Sequence, residues 1–268
     1  MKTIFALLLP ILLLSGCASV TVSNINSEEY LVQRRGDVIS QGRLSDPSNS
    51  VLTDCENRMQ YCINSVGESS VTDNESKISA LAEMWLFKAM RAQKDAQVLK
   101  DAGEFQDEQK LNAELLNDYI QTTKYSYAYL FFSGRKISDR ALEDRQTQVK
   151  DYYNFAVQNV IEQLYRATKG KALTDFPVRE GKWNIYIKNP EQLSEHAETV
   201  KELIPDTVLS FKGLKNQYSA DGLGARMVLS TDDPAKEKDQ PWRLMPYSSA
   251  TAMISFPGQS LSQSLTAG

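Results

Sequence analysis

The chain has 268 residues, with 41% apolar and 24% charged side chains and a formal net charge of −4. That balance permits a packed core, and the acidic excess, with no block of five Lys or Arg, argues against nucleic-acid binding through a basic face. One histidine and no Cys-x-x-Cys pair argue against a metal site.

The chain opens with a short positive start at Lys2, an almost wholly apolar run from Ile4 to Leu14, and a small-residue close at Leu14-Ser15-Gly16-Cys17. That order is the pattern of a secretory leader with a cleavage site. The apolar run rises only about 16 Å as a helix, against a hydrocarbon core of about 30 Å, so it cannot span a membrane. The closing tetrapeptide resembles the lipobox of bacterial lipoproteins. The resemblance implies that the leader is cut before Cys17 and that the Cys17 thiol is acylated, palmitate included. The partner of the mature chain is then a membrane, reached through lipid. Ala18 in place of an aspartate implies the outer membrane. The alternative is an ordinary leader cut after Ala18, with Cys17 incidental.

Residues 18–50 are mixed polar with weak periodicity, though Val20, Val22 and Tyr30-Leu31-Val32 could reach a core. Arg35-Gly36-Asp37 is an adhesion-like tripeptide read here as a turn, and Asp46-Pro47-Ser48-Asn49 is a second turn. Beyond Cys17 the chain has Cys55 and Cys62. Export into an oxidising compartment makes a disulfide the expectation, with two free thiols as the alternative. Seven residues of unbroken helix would hold the two Cα atoms roughly 10 Å apart, so a bond requires a turn between them.

From about residue 72 the pattern becomes helical. Thr72-Asp73-Asn74-Glu75 matches a capping box, and Ile78, Leu81, Trp85, Ala89, Ala92, Ala96 and Leu99 form one apolar stripe ending near Gly103. A second helix is predicted from about Asp107 to Phe132, with Leu111, Leu115, Tyr119 and Leu130 on one face and Gly134 as its stop. Tyr125-Ser126-Tyr127-Ala128-Tyr129 alternates like a strand, but the flanking period keeps it helical, with its aromatics in a core or interface. Ser138 is the expected cap of a third helix whose stripe is Leu142, Val149, Tyr153, Ala156, Val160 and Leu164. Short connections predict an antiparallel bundle.

After Lys169-Gly170 strands are expected at Trp183–Lys188, Thr207–Phe211, Ala225–Ser230 and Thr251–Phe256, with a tail from Pro257 that carries no element. Gly222-Leu223-Gly224 lacks the third glycine and following helix of a dinucleotide loop, and no cofactor is expected. Asp232-Asp233-Pro234 opens a charged loop.

A serine hydrolase needs a base for its nucleophile and donors for an oxyanion. The one histidine, His196, sits in the charged segment Ser194–Glu198 and is expected at the surface. No G-x-S-x-G elbow occurs; Gly258-Gln259-Ser260-Leu261-Ser262 lacks the closing glycine. No catalytic residue is assigned.

Several segments together resemble the N-terminal region of large bacterial lipoprotein α/β-hydrolases of the lipase or esterase kind. They are Arg34–Asp37 with Gly42–Ser45, the Cys55/Cys62 pair, Ala80–Trp85, Tyr125–Leu130, Arg145–Asn154, Gly213–Tyr218 with Asp221–Ala225, and Met245-Pro246-Tyr247. In that family the nucleophile and its acid and histidine partners lie further toward the C-terminus. The resemblance therefore implies a scaffold without its catalytic part. The expectation is either a truncated product whose C-terminal catalytic domain is missing, or a short lipoprotein that finishes its sheet alone or with a protein partner. The expected organisation is a lipoprotein signal peptide at 1–16, an anchor-proximal segment with the cysteine pair at 17–71, a three-helix region at 72–169, and an incomplete β-strand region at 170–268. The fold class is α+β: an antiparallel helical bundle followed by a few strands, which the resemblance implies are the start of an α/β-hydrolase sheet. The expected function is that of a lipid-anchored envelope protein without a catalytic site in this chain. The alternative is a stand-alone periplasmic interaction or scaffold lipoprotein.

Overall fold

In the computed structural model, residues 21–24, 55, 58–68, 70, 74–167, 184–188, 200–212, 222–231, 247–256, 258 and 260–266 are described. Three long helices dominate them: α2 (Asn74–Ala102), α3 (Phe105–Phe132) and α4 (Asp144–Ala167). A shorter helix, α1 (Met59–Glu68), precedes them. Two-residue and eleven-residue connections join the three in an up-down-up order. Glu75 pairs with Arg135 just after α3, while Lys88 and Gln93, further along α2, pair with Asp118 and Tyr119 earlier in α3, so the two helices run in opposite directions. Between α2 and α4 the numbers rise together, as in Glu83–Arg145 and Gln93–Asn159. The expected antiparallel bundle is what these contacts describe.

The strands are β1 (Thr21–Asn24), β2 (Asn184–Lys188), β3 (Val200–Pro205), β4 (Leu209–Lys212), β5 (Ala225–Thr231) and β6 (Tyr247–Ser255). Four form a sheet in the order β2-β6-β5-β3, and β1 pairs with β4 in a separate ribbon. Every described pairing is antiparallel. The class is α+β, as the change of periodicity near residue 170 implies.

Alternation decides which face of the sheet is covered. Ala225, Met227 and Leu229 of β5 and Ala250, Ala252 and Ile254 of β6 are buried, while Arg226, Val228, Thr251 and Met253 are only half-buried. The buried set meets Val149, Tyr153, Ala156, Val157 and Val160 of α4 in one core that runs through helices and sheet alike. A satellite cluster of Ile63, Leu81 and Met84 joins α1 to α2.

The α2 stripe is thus divided. Ile78 and Ala89 face the main core, while Leu81 and Trp85 face α1. The same division explains the tyrosine run, which is helical as expected. Tyr125 packs against both clusters, Tyr127 stacks on Phe131 at 4.6 Å and faces Phe256 at 5.8 Å, and Tyr129 is buried under Arg140.

Four sequence expectations need correction. Ser138 does not cap the third helix: its hydroxyl bonds the Asp139 carboxylate inside a 3-10 turn, Ile137–Arg140, and α4 begins only at Asp144. Leu142, expected on the core stripe, is 100% exposed in the intervening turn. The expected strand Thr207–Phe211 begins as a 3-10 turn, Asp206–Val208, and becomes β4 at Leu209. The tail also carries an element, α5 (Leu261–Thr266). Thr72 of the capping box lies outside the described residues, and the Glu75 carboxylate accepts from Arg135.

Candidate functional site

The residues that the sequence marks for chemistry fall in different places. Cys17, His196 and Asp232-Asp233 lie outside the described residues. Cys55 and Cys62 are joined by a disulfide, with their Cα atoms 5.7 Å apart. The Arg58 amide bonds the Cys55 carbonyl, closing a turn, and the Cys62 amide bonds the Arg58 carbonyl as α1 starts. The segment therefore turns before it becomes helical, as a bond at this spacing requires.

Ser260, the serine of the elbow-like segment, is occupied with capping. Its Oγ accepts from the Gln263 amide at 3.3 Å and its carbonyl from the Ser264 amide at 2.9 Å, which starts α5. Gly258 before it holds φ +155, and a Cβ there would sit 2.8 Å from the Ser264 nitrogen. The glycine is needed for this close passage, not for an oxyanion hole.

Three polar groupings organise the described residues. The first lies where α3 ends. Arg140 is 0% exposed. Its Nη2 donates to the carbonyls of Tyr129 at 3.0 Å, Leu130 at 3.3 Å and Arg135 at 3.4 Å. Those carbonyls belong to the last turn of α3 and the residues beyond it, where helix geometry leaves acceptors without partners and the dipole favours a cation. The guanidinium also lies 4.4 Å over the Tyr129 ring and 3.7 Å from Glu75. Glu75 and Glu143 bracket Arg135, at 2.8 Å from its Nε and 2.7 Å from its Nη1, and raise the Arg135 pKa above its ordinary value, Glu75 most. Burial pushes the Tyr129 hydroxyl upward, against the opposing effect of Arg140.

The second grouping joins the helices. Lys88 Nζ reaches both Asp118 oxygens at 2.7 and 2.9 Å and lies 5.0 Å above the Trp85 ring. The Asp118 side chain is only 2% exposed. Desolvation raises its pKa, and the pairing with Lys88 only partly opposes the rise. Nearby, the Tyr119 hydroxyl donates to Gln93, and the Gln93 amide donates to Asn159.

The third grouping fixes α4 to the sheet. The Tyr153 hydroxyl pairs with the backbone of Ile254. Asn154 grips the turn before β5: its amide donates to the Gly222 carbonyl at 3.0 Å and its oxygen accepts from the Gly224 amide at 2.7 Å. Gln158 donates to Asp206 and to the Arg226 carbonyl, both at 2.9 Å, and Arg226 Nε sits 2.7 Å from Asp206. The Gly222-Leu223-Gly224 segment, set aside above as a nucleotide loop, is a docking turn for a helix.

The first and third groupings bond backbone, and the second joins helix to helix through side chains. Among the described residues no group of three or more His, Cys, Asp or Glu could hold a metal, and no helix is long and apolar enough to cross a membrane. Sequence reasoning missed the Arg140, Asn154 and Gln158 contacts. Their signal was weak, since polar residues on a helix ordinarily read as solvated. The chain matches no family model, no curated protein and no solved structure.

Proposed function

We propose that this chain is a lipid-anchored envelope lipoprotein, held at the outer membrane through Cys17. In this reading it corresponds to the non-catalytic N-terminal region of hydrolase-type lipoproteins of the serine esterase or lipase kind. The observation that carries it is the Cys55–Cys62 disulfide, which suits an exported chain and agrees with the leader that ends at Cys17.

The hydrolase half is supported by where the resembling segments lie. Arg145, from the segment Arg145–Asn154, pairs with Glu83 of Ala80–Trp85 at 2.7 Å. Tyr153, from the same segment, faces Tyr127 of Tyr125–Leu130 at 6.4 Å. Asn154 holds the glycines of Asp221–Ala225. These four resembling segments are mutual contacts, as expected if the resemblance follows a shared scaffold; Arg34–Asp37, Gly42–Ser45 and Gly213–Tyr218 lie outside the described residues. The test is an ester-hydrolysis assay on the purified mature chain. It should turn over no short-chain p-nitrophenyl ester; turnover that copurifies with the chain contradicts the reading.

A second reading, a stand-alone scaffold lipoprotein, is favoured by the single core shared between the helix layer and the four-stranded sheet. The DNA downstream of the Gly268 codon separates the two. A continuing or shifted frame encoding G-x-S-x-G supports the hydrolase reading, and its absence supports the scaffold.

A further inference from the structure

The ribbon of β1 and β4 begins four residues after Cys17. Thr21 is opposite Lys212, Val22 opposite Phe211, Ser23 opposite Ser210 and Asn24 opposite Leu209. The strands are antiparallel, so β1 runs away from Cys17 while β4 runs back toward it. Leu209, at the far end of the ribbon, follows directly on the Asp206–Val208 turn. That turn is fixed to the body on two sides, by Gln158 of α4 and Arg226 of β5 on Asp206, and Thr207 within it is buried.

Chain length turns this register into a distance. Four residues reach at most about 14 Å from Cys17 to Thr21. The strand adds about 10 Å from Thr21 to Asn24, and the cross-strand step to Leu209 about 5 Å. The body is then fixed within about 30 Å of the Cys17 Cα. Without the ribbon, the first tie among the described residues between this end of the chain and the helical body would be the Cys55–Cys62 pair. A tether of 38 residues from Cys17 to Cys55 extends to about 130 Å.

We infer that the β1–β4 ribbon is a strut that holds the folded body against the bilayer, with its Thr21/Lys212 end toward the lipid headgroups. This inference rests on the reading of Cys17 as the lipidated residue. The partner surface is the headgroup layer of the membrane that takes the acyl chains. The body is therefore not free to range across the periplasm on a flexible leash. The Asp206–Val208 turn, and the β3 edge that leads into it, stay within about 30 Å of the anchored residue.

Two experiments test the strut. In the first, Ser23→Cys and Ser210→Cys are introduced together into the full chain carrying Cys17→Ser. Mild oxidation should cross-link the two introduced thiols; failure to cross-link overturns the ribbon whatever happens to the lipid. In the second, lipidated protein carrying Glu202→Cys, an exposed position on β3, is labelled with a donor fluorophore. It is then reconstituted in phosphatidylethanolamine–phosphatidylglycerol vesicles that carry a headgroup acceptor. Efficient energy transfer is expected, and Val22→Pro, which removes a strand donor, should lower and broaden it while palmitate incorporation persists, because a flexible tether ranges over distances up to the chain's full extension. Equal transfer in the two proteins, with palmitate present in both, overturns the strut and leaves the lipid anchor standing. Absence of palmitate from the parent chain overturns the anchor itself, and the strut's membrane role with it.

Discussion

The hydroxyl of Tyr153 donates to the carbonyl of Ile254 at 2.6 Å and accepts from the amide of the same residue at 3.0 Å, across 101 residues of sequence. The register of β5 on β6 ends at Ala225 opposite Ala252, two residues before Ile254. The phenol continues the hydrogen bonding of β6 where the neighbouring strand stops. Tyr153→Phe leaves a buried amide and carbonyl without that partner, and a loss of about 1–3 kcal/mol is expected. Urea unfolding checks this, with a lower midpoint and an unchanged slope as the expected result. An unchanged midpoint would show that the pair contributes nothing.

Arg140 is a buried cation whose role is to finish α3. Arg140→Met removes its bonds to three carbonyls, while Glu75 keeps Arg135, so the expected loss is about 2–3 kcal/mol. Arg140→Lys should recover less than half of it, because an ammonium lacks the planar fork that stacks on Tyr129 while donating. Thermal denaturation of the two variants gives the ordering, and equal stability of Lys and wild type would contradict the stacking argument.

Asp118 gives a pH test with a defined sign. Its pKa is raised in the folded chain, chiefly by desolvation. The folded state therefore favours the protonated acid. That contribution to stability is full below the unfolded value of about 3.8 and is lost as pH rises through the higher folded value. Asp118→Asn cannot titrate. The stability advantage of wild type over Asp118→Asn should shrink between pH 3 and pH 7, measured as the difference in unfolding free energy. An advantage that grows over that interval would mean that the Lys88 pairing outweighs burial.

The disulfide closes a loop of eight residues, from Cys55 to Cys62. Chain-entropy arguments give such a loop about 2.5 kcal/mol of stabilisation. With Cys55→Ser and Cys62→Ser together, the loss should fall mainly on α1, which rests on α2 through the small Ile63–Leu81–Met84 cluster. Hydrogen exchange should show faster exchange of α1 amides with α3 and α4 unchanged.

The parts of the fold legible in the sequence are those with long periodic patterns. The three long helices follow from apolar residues recurring at three and four, and β5 from its alternation. Helix α1 was overlooked although Met59, Ile63 and Val66 have helical spacing, because ten residues carry few repeats. Strand β3 was missed because Lys201, Glu202 and Pro205 obscure the buried Leu203. The ribbon joins residues about 190 positions apart, and local pattern does not encode such a pairing. The displaced start of α4 has a similar cause. Ser138 and Asp139 have the composition of a cap, but Arg140 must fold back under α3, and a 3-10 turn followed by Leu142 in solvent provides the room. The disulfide was legible because the leader-like start implies export, for which paired cysteines are the expectation, and the spacing only required a turn between them. The structural use of Arg140, Asn154 and Gln158 was not, since a polar residue's partner depends on which backbone the fold brings to it.

The central claim is the lipid on Cys17, and labelled-palmitate incorporation tests it most directly. Full-length protein expressed in a bacterial host should carry the label in the membrane fraction, and Cys17→Ser should lose it entirely. An unlabelled wild-type chain, or label retained after Cys17→Ser, would contradict the account.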